Sequence, residues 1–114
     1  MARQNRSSQG TTTNTTKGMT IKAKVFELRD PIKTLEALAS FTFGFNGTDL
    51  FVVKDIKVFY GKNGYFLGMP SKKNRDNEYE DLAFPLSKDF REKLLELTLA
   101  AWDDKSGQAE ITLE

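Results

Sequence analysis

The sequence contains no cysteine and no histidine. These absences exclude a thiol nucleophile, a Ser-His-Asp triad and a zinc site with the usual nitrogen and sulfur ligands. Only carboxylate, lysine, tyrosine or backbone chemistry remains. In a strand, Glu78 and Glu80 point to one face and Asp81 to the other, so at most two of these acids could act as a pair, and solvated acids on an outer face are the better interpretation. We therefore expect a protein that is not an enzyme and has no metal, cofactor or small-molecule substrate.

Long apolar runs are also missing. No window approaches the roughly 20 apolar residues that a membrane-spanning helix needs, and the basic residues near the N-terminus precede no apolar segment of a signal peptide. A secreted domain of this size often relies on disulfides, which a chain without cysteine lacks. The composition predicts a cytoplasmic protein that makes no membrane contact.

The first 18 residues contain almost no apolar side chain and no acid. A Ser, Thr, Asn and Gln tract of this kind buries too little apolar surface to offset chain entropy, so we expect residues 1–18 to form a disordered tail. The tail is either a dispensable extension, native or vector-derived, or a weak basic arm. Residues 19–114 are then a single domain whose modest core favours pairing with a second copy.

Positive charge is scarce in this domain. The chain has 17 Lys and Arg residues against 16 Asp and Glu, and Arg3, Arg6 and Lys17 lie in the tail. The 14 bases and 16 acids that remain give residues 19–114 a net charge of −2. Any binding of nucleic acid must therefore come from a local patch.

Alternating apolar and polar residues predict five strands, at 20–26, 36–46, 50–60, 65–70 and 78–84. Turn residues separate them at 29–31, at Asn46-Gly47 and at Asn63-Gly64, where Asn and Gly tolerate the positive φ of tight turns.

After Pro85 the apolar period changes to about 3.6, which predicts a helix with Ser87 as its N-cap that ends near Asp104. Residues 109–113 are either a short strand or irregular. The predicted fold class is α+β: an antiparallel sheet of about five strands in meander order, followed by a C-terminal helix packed on one face.

The third strand carries apolar residues on both faces. Regular alternation places Phe51, Val53 and Phe59 on one face and Val52, Ile56 and Val58 on the other. One helix covers only one face of a sheet. We expect a second copy of the chain to cover the other, with long loops and the chain ends as the alternative.

The candidate binding segment is a polar loop between the fourth and fifth strands, made of Ser71, Lys72, Lys73, Asn74 and Arg75. Lysine offers mobile point charges, and arginine offers a planar fork that grips phosphate with two hydrogen bonds. The residues alone leave a second interpretation open, an ordinary charged hairpin tip that discourages aggregation.

Aromatic residues surround this segment in the sequence: Tyr60, Tyr65, Phe66 and Tyr79. Rings of this kind stack on bases in proteins that bind single strands. At strand positions, however, packing across strands is the commoner role.

Several motifs in order resemble the stage V sporulation protein G (SpoVG) family, over roughly residues 20–99. The run FVVKDIKV at 51–58 is similar to the family's FVVxDIRV, NGYFLGMPSKK at 63–73 to NGLFVAMPSKR, and DLAFPL at 81–86 to DIAHPI. The family often continues with a proline after the basic pair, where this chain has Asn74-Arg75.

The resemblance implies a small antiparallel sheet with a C-terminal helix, a homodimer, and a bacterial regulator of transcription that binds DNA and in some members RNA. The family's DNA-contact segment follows its MPSK motif and maps here onto Lys72, Lys73, Asn74 and Arg75. We therefore predict a dimeric nucleic-acid-binding regulatory protein that uses the loop at 71–75. The alternative is a protein-interaction module in septation or division control that does not bind nucleic acid directly.

Overall fold

The computed structural model describes residues 18–113, so the predicted tail lies outside the described residues except for Gly18. The elements are β1 (Met19–Ile32), β2 (Leu35–Phe45), β3 (Thr48–Gly61), β4 (Gly64–Gly68), β5 (Ser71–Lys73), β6 (Tyr79–Asp81), α1 (Lys88–Asp103) and β7 (Gln108–Leu113). Five strands form one antiparallel sheet in the order β4-β3-β2-β1-β7, and β5 and β6 form a separate pair. The predicted α+β class is confirmed.

The core lies between one face of the sheet and α1. The helix begins at Lys88 because the Ser87 side chain accepts a hydrogen bond from the Phe90 amide at 2.9 Å. It lies across β1 and β7 and reaches β4. Buried sheet residues beneath it include Ile21, Ala23, Ala37, Ala39, Phe41, Ile56 and Val58, and the helix contributes Leu94, Leu97 and Ala101. Among the described residues, no helix is long and apolar enough to cross a membrane.

The fifth strand of the sheet is β7 and not the predicted segment 78–84. The chain turns after α1 because the Asp104 side chain accepts hydrogen bonds from the amide and the hydroxyl of Ser106. Gly107 adopts a φ of 71° and its amide donates to the Asp104 carbonyl at 2.9 Å. This turn returns the chain to the free edge of β1, where Ile111 lies opposite Ile21.

Strand β1 continues through the turn that was predicted at 29–31 and ends at Ile32. The turn itself follows at Lys33, whose φ is 56°. The ladder between β1 and β2 is irregular between Glu27 and Ile32. Pro31 lies in this irregular stretch, so its missing N–H removes no regular ladder hydrogen bond.

A β-bulge in β3 changes which side chains face α1. Lys54 and Asp55 together lie opposite Ser40, since Val53 pairs with Phe41 and Ile56 pairs with Ala39. The extra residue shifts the alternation by one, so Val53, Ile56 and Val58 share the helix-covered face. The predicted division of β3 into two faces is therefore wrong beyond Asp55.

Within residues 18–113, no helix packs on the opposite face of the sheet, in agreement with the single helix that the sequence predicts. Phe26, Val52 and Phe66 are exposed there. The second copy that we expect over this face stays a prediction.

Asp55 adopts a φ of 68°, in the left-handed region where a Cβ is unfavourable. We expect Asp55→Gly to raise the free energy of unfolding by up to about 1 kcal/mol and Asp55→Val to lower it by about 1–2 kcal/mol, measured by urea denaturation. Lys54→Gly, in the same bulge without a positive φ, is the control and should be destabilising. Equal destabilisation by both glycine variants would contradict a bulge centred on Asp55.

The Ser106 hydroxyl and amide hydrogen bonds hold the pKa of Asp104 below its usual value of 3.8. A depressed folded pKa means that the carboxylate stabilises the fold above pH 3.8 and that this contribution disappears as the pH falls through the folded value. We expect Asp104→Asn to unfold at lower temperature than the wild type at pH 7, and the two melting temperatures to converge as the pH falls through the lowered pKa of Asp104, measured by circular dichroism. Asp103→Asn removes the same charge from the neighbouring residue and should not show this convergence.

Candidate nucleic-acid interface

Strands β5 and β6 form a short antiparallel hairpin outside the main sheet, which we call the basic hairpin (residues 71–81). Ser71 lies opposite Asp81, and Lys73 lies opposite Tyr79. Its base is closed by a hydrogen bond of 2.7 Å from the Leu82 amide to the Pro70 carbonyl. Apart from the half-buried Ser71, the residues of both strands are exposed, so the hairpin presents its side chains to solvent.

Asn74 builds the turn of the basic hairpin. Its Oδ1 accepts hydrogen bonds from the amides of Asp76 at 2.9 Å and Glu78 at 3.1 Å, while its own amide donates to the Glu78 carbonyl at 2.8 Å. Asn77 completes the turn with a φ of 63°. The sequence predicts Asn74 as a phosphate donor, but the structure gives its carbonyl oxygen a local structural role.

The charges of the basic hairpin are separated along the chain. All three cations, Lys72, Lys73 and Arg75, come before its four acids, Asp76, Glu78, Glu80 and Asp81. Positive charge therefore lies on β5 and the first half of the turn, and negative charge on the second half and β6. Within residues 18–113, none of the three cations forms an ion pair.

Lys73 also lies beside an aromatic ring. Its Nζ is 5.8 Å from the centroid of Tyr79, directly across the hairpin, within the range of a cation–π interaction. Lys72 lies opposite Glu80, which reduces the positive potential at that position.

The structure brings all five predicted site residues into the basic hairpin, where Lys72, Lys73 and Arg75 are exposed and Ser71 and Asn74 are half-buried. Contact of these residues with nucleic acid stays a prediction. Among the described residues, no group of three or more acidic side chains is placed to hold a metal ion.

Two of the predicted aromatic residues pack within the protein. The rings of Tyr60 and Tyr65 are 4.7 Å apart, and Tyr65 meets Trp102 of α1 edge-on at 5.5 Å. Partial desolvation, and to a smaller extent the nearby carboxylate of Glu36, raises the pKa of Tyr65. Packing is therefore the role of these tyrosines, whereas Phe66 lies on the opposite face of the sheet.

An exposed apolar segment follows the basic hairpin, and the sequence analysis did not identify it. Leu82, Phe84 and Leu86 alternate between β6 and α1, and Leu86 is 93% exposed. Apolar residues at every second position before Pro85 are the signal that was available. We call residues 82–86 the apolar segment.

We expect Asn74→Ala to loosen the turn, because two amides lose their acceptor. Hydrogen exchange at Asp76 and Glu78 should become faster, while the melting temperature changes little since the hairpin is separate from the core. Asn74→Asp retains an oxygen acceptor and is the matched control. Unchanged exchange in Asn74→Ala would contradict the role assigned to this side chain.

Comparison with known proteins agrees with the family resemblance of the sequence motifs. A family model described as SpoVG matches residues 19–104. A protein of Brevibacillus brevis named "Putative septation protein SpoVG" is 40% identical over 80 residues, which cover 70% of this chain and 80% of the relative. A Listeria monocytogenes protein named "Putative septation protein SpoVG 2" is 41% identical over 78 residues, 68% of this chain and 72% of the relative.

Proposed function

We propose that this chain, which belongs to the SpoVG family, is a dimeric nucleic-acid-binding regulatory protein without a catalytic step. The observation that carries the proposal is the basic hairpin, where Lys72, Lys73 and Arg75 are exposed and form no ion pair within the described residues. The resemblance of the 63–73 motif to the family's contact segment supports the same residues.

The hairpin binds the phosphate backbone through its positive edge. Because β5 pairs with β6 and with no other strand of the described residues, its outer edge is available to lie along a strand of nucleic acid. The guanidinium of Arg75, in the turn, bonds a phosphate with two parallel hydrogen bonds or reaches the edge of a base. The acids of β6 repel phosphates and so orient the hairpin on its target.

Dimerisation doubles the site. We place the dimer contact at the apolar segment, and not at the helix-free sheet face where the sequence predicts it, because Leu82, Phe84 and Leu86 are exposed and directly follow the basic hairpin. A two-fold contact there brings two hairpins to the same side of the dimer and supplies six cations. Since one hairpin neutralises few phosphates, strong binding requires both.

The triple variant Lys72→Ala, Lys73→Ala, Arg75→Ala tests the hairpin. We expect it to lose most affinity for duplex DNA and RNA in electrophoretic shift assays. Its affinity should also depend less on salt, because each lost phosphate contact reduces the logarithmic salt slope by about 0.9. The matched control, Lys88→Ala, Arg91→Ala, Lys93→Ala, removes the same charges from the exposed surface of α1.

Equal loss of affinity in both triple variants would mean that net charge matters and the hairpin does not. Wild-type affinity in the hairpin variant would overturn the assignment. Leu86→Ser, examined by sedimentation velocity, tests the dimer contact and should shift the protein toward monomer.

A second candidate function is a protein-interaction module in septation or division control. It is favoured by the free outer edge of β3, because β4 pairs only with Lys57 to Gly61 of that strand. Leu50 and Phe51 on the unpaired part are exposed. An exposed edge of this kind accepts an extended peptide as an added strand. Partner binding that is insensitive to salt and abolished by Leu50→Lys would favour this function.

A further inference from the structure

The helix-free face of the main sheet has an ordered arrangement of side chains, and we call it the open face. The strand register aligns them in rows. One row contains Lys22, Thr42 and Val52, and the next contains Lys24 and Ser40. The third contains Phe26, Leu38, Lys57 and Gly68, and the last contains Phe59 and Phe66.

Phe59 and Phe66 form a stacked aromatic pair at one end of the open face. Their ring centroids are 5.1 Å apart and their planes differ by 21°. Two glycines make room for this arrangement, since a Cβ on Gly68 would lie 2.5 Å from the Phe59 ring and a Cβ on Gly61 would lie 2.9 Å from the Phe66 ring. The rings therefore lie over backbone, and Phe66 remains 49% exposed.

A second ring with an adjacent cation lies on β1. Phe26 is 55% exposed, and the Nζ of Lys24 lies 5.1 Å from its centroid. Phe26 and Lys57 belong to the same row, separated by Leu38 on β2. Strand spacing places β1 and β3 roughly 10 Å apart, so the two aromatic positions are separate.

The charges of the open face are arranged unevenly. Glu110 lies opposite Lys22, and Asp49 forms an ion pair with Lys22 at 3.1 Å, so both acids are at the end away from Phe66. Glu27, near the aromatic end in sequence, accepts a hydrogen bond from Trp102 on the covered side. Lys24 and Lys57 therefore give the aromatic end a positive potential, which Asp55 in the bulge opposite Ser40 offsets only in part.

We propose that the open face is a second nucleic-acid site, specific for single strands, in which bases stack on Phe66 and Phe26 while Lys24 and Lys57 hold the phosphates. Exposed rings interleaved with cations on a sheet are the features that bind unpaired bases. A duplex keeps its bases stacked and offers none to a flat sheet. The site uses none of the basic hairpin, so either proposal can fail without the other.

A second copy of the chain is the competing occupant, and the charges argue against it. A two-fold contact across the aromatic end brings Lys24 and Lys57 of both copies together, and Asp55, opposite Ser40 in the bulge, offsets only part of their charge. Like charges placed in this way oppose association. A polyanion complements the same surface.

The site is tested by the binding of a fluorescein-labelled oligouridine of about 15 nucleotides, measured by fluorescence anisotropy at moderate salt. We expect Phe66→Leu, which keeps an apolar group over Gly61 but removes the ring, to weaken binding by about fivefold or more. Lys24→Gln with Lys57→Gln should weaken binding and flatten its salt dependence. Phe66→Trp should retain affinity. Addition of oligouridine should quench the tryptophan fluorescence of this variant more than that of the wild type, in which Trp102 is the fluorophore.

Matched controls separate this site from other surfaces. Phe51→Leu changes a ring that is more exposed than Phe66, 65% against 49%, but pairs with Phe43 on the helix-covered face, and this variant should bind oligouridine as the wild type does. The hairpin triple variant should lose duplex affinity and keep the Phe66 dependence of oligouridine binding.

Three results would overturn the proposal. The first is no oligouridine binding by the wild type. The second is wild-type affinity in both the Phe66→Leu and the double-lysine variants. The third is sedimentation velocity in which Phe66→Leu, and not Leu86→Ser, converts a dimer to monomer, because the open face would then be the contact between two copies.

Discussion

The five-stranded sheet has two faces, whereas the described part of the chain forms one helix, and most features of the structure follow from that imbalance. α1 covers the face that carries Phe41 and Ile56, and these residues form the core. The other face must remain compatible with water or with a partner. Lysines serve this purpose between the exposed rings, because each keeps its charge in solvent while its aliphatic part lies on the sheet. An open sheet face is stable here without being purely polar.

A β-bulge and two glycines determine which side chains lie on the covered face of the sheet and which lie on the open face. Regular alternation would place the odd-numbered residues Val53 and Phe59 on the same face of the sheet. Because of the bulge at Asp55, Val53 faces the helix and Phe59 faces the opposite side. Gly61 and Gly68 then leave room for the rings of Phe59 and Phe66 to stack, and such an aromatic pair adds roughly 0.5–1.5 kcal/mol beyond its buried area. Three backbone positions thus decide which side chains the core uses and which the surface presents.

Sequence reasoning predicted the fold class, the four-strand meander and the Ser87 cap, because each is encoded by neighbouring residues. It did not place β7, since pairing between Ile111 and Ile21 depends on residues far apart in the chain. The Asp55 bulge was also missed, because the surrounding pattern reads equally well as regular alternation. At the candidate site, the cluster of cations was predictable from composition, whereas the turn-building role of Asn74 required the positions of two backbone amides.

The placement of β7 beside β1 has a consequence for how the chain folds during synthesis. Strands β1 to β4 are joined by short turns and can pair as they leave the ribosome, but one edge of β1 waits for a strand that is made last. Until Ile111 reaches Ile21, that edge of β1 remains unpaired, and such edges promote association between nascent chains. The turn at Asp104 and Gly107 therefore shortens the time during which the edge of β1 is unpaired, because it directs β7 to β1 as soon as the helix has docked.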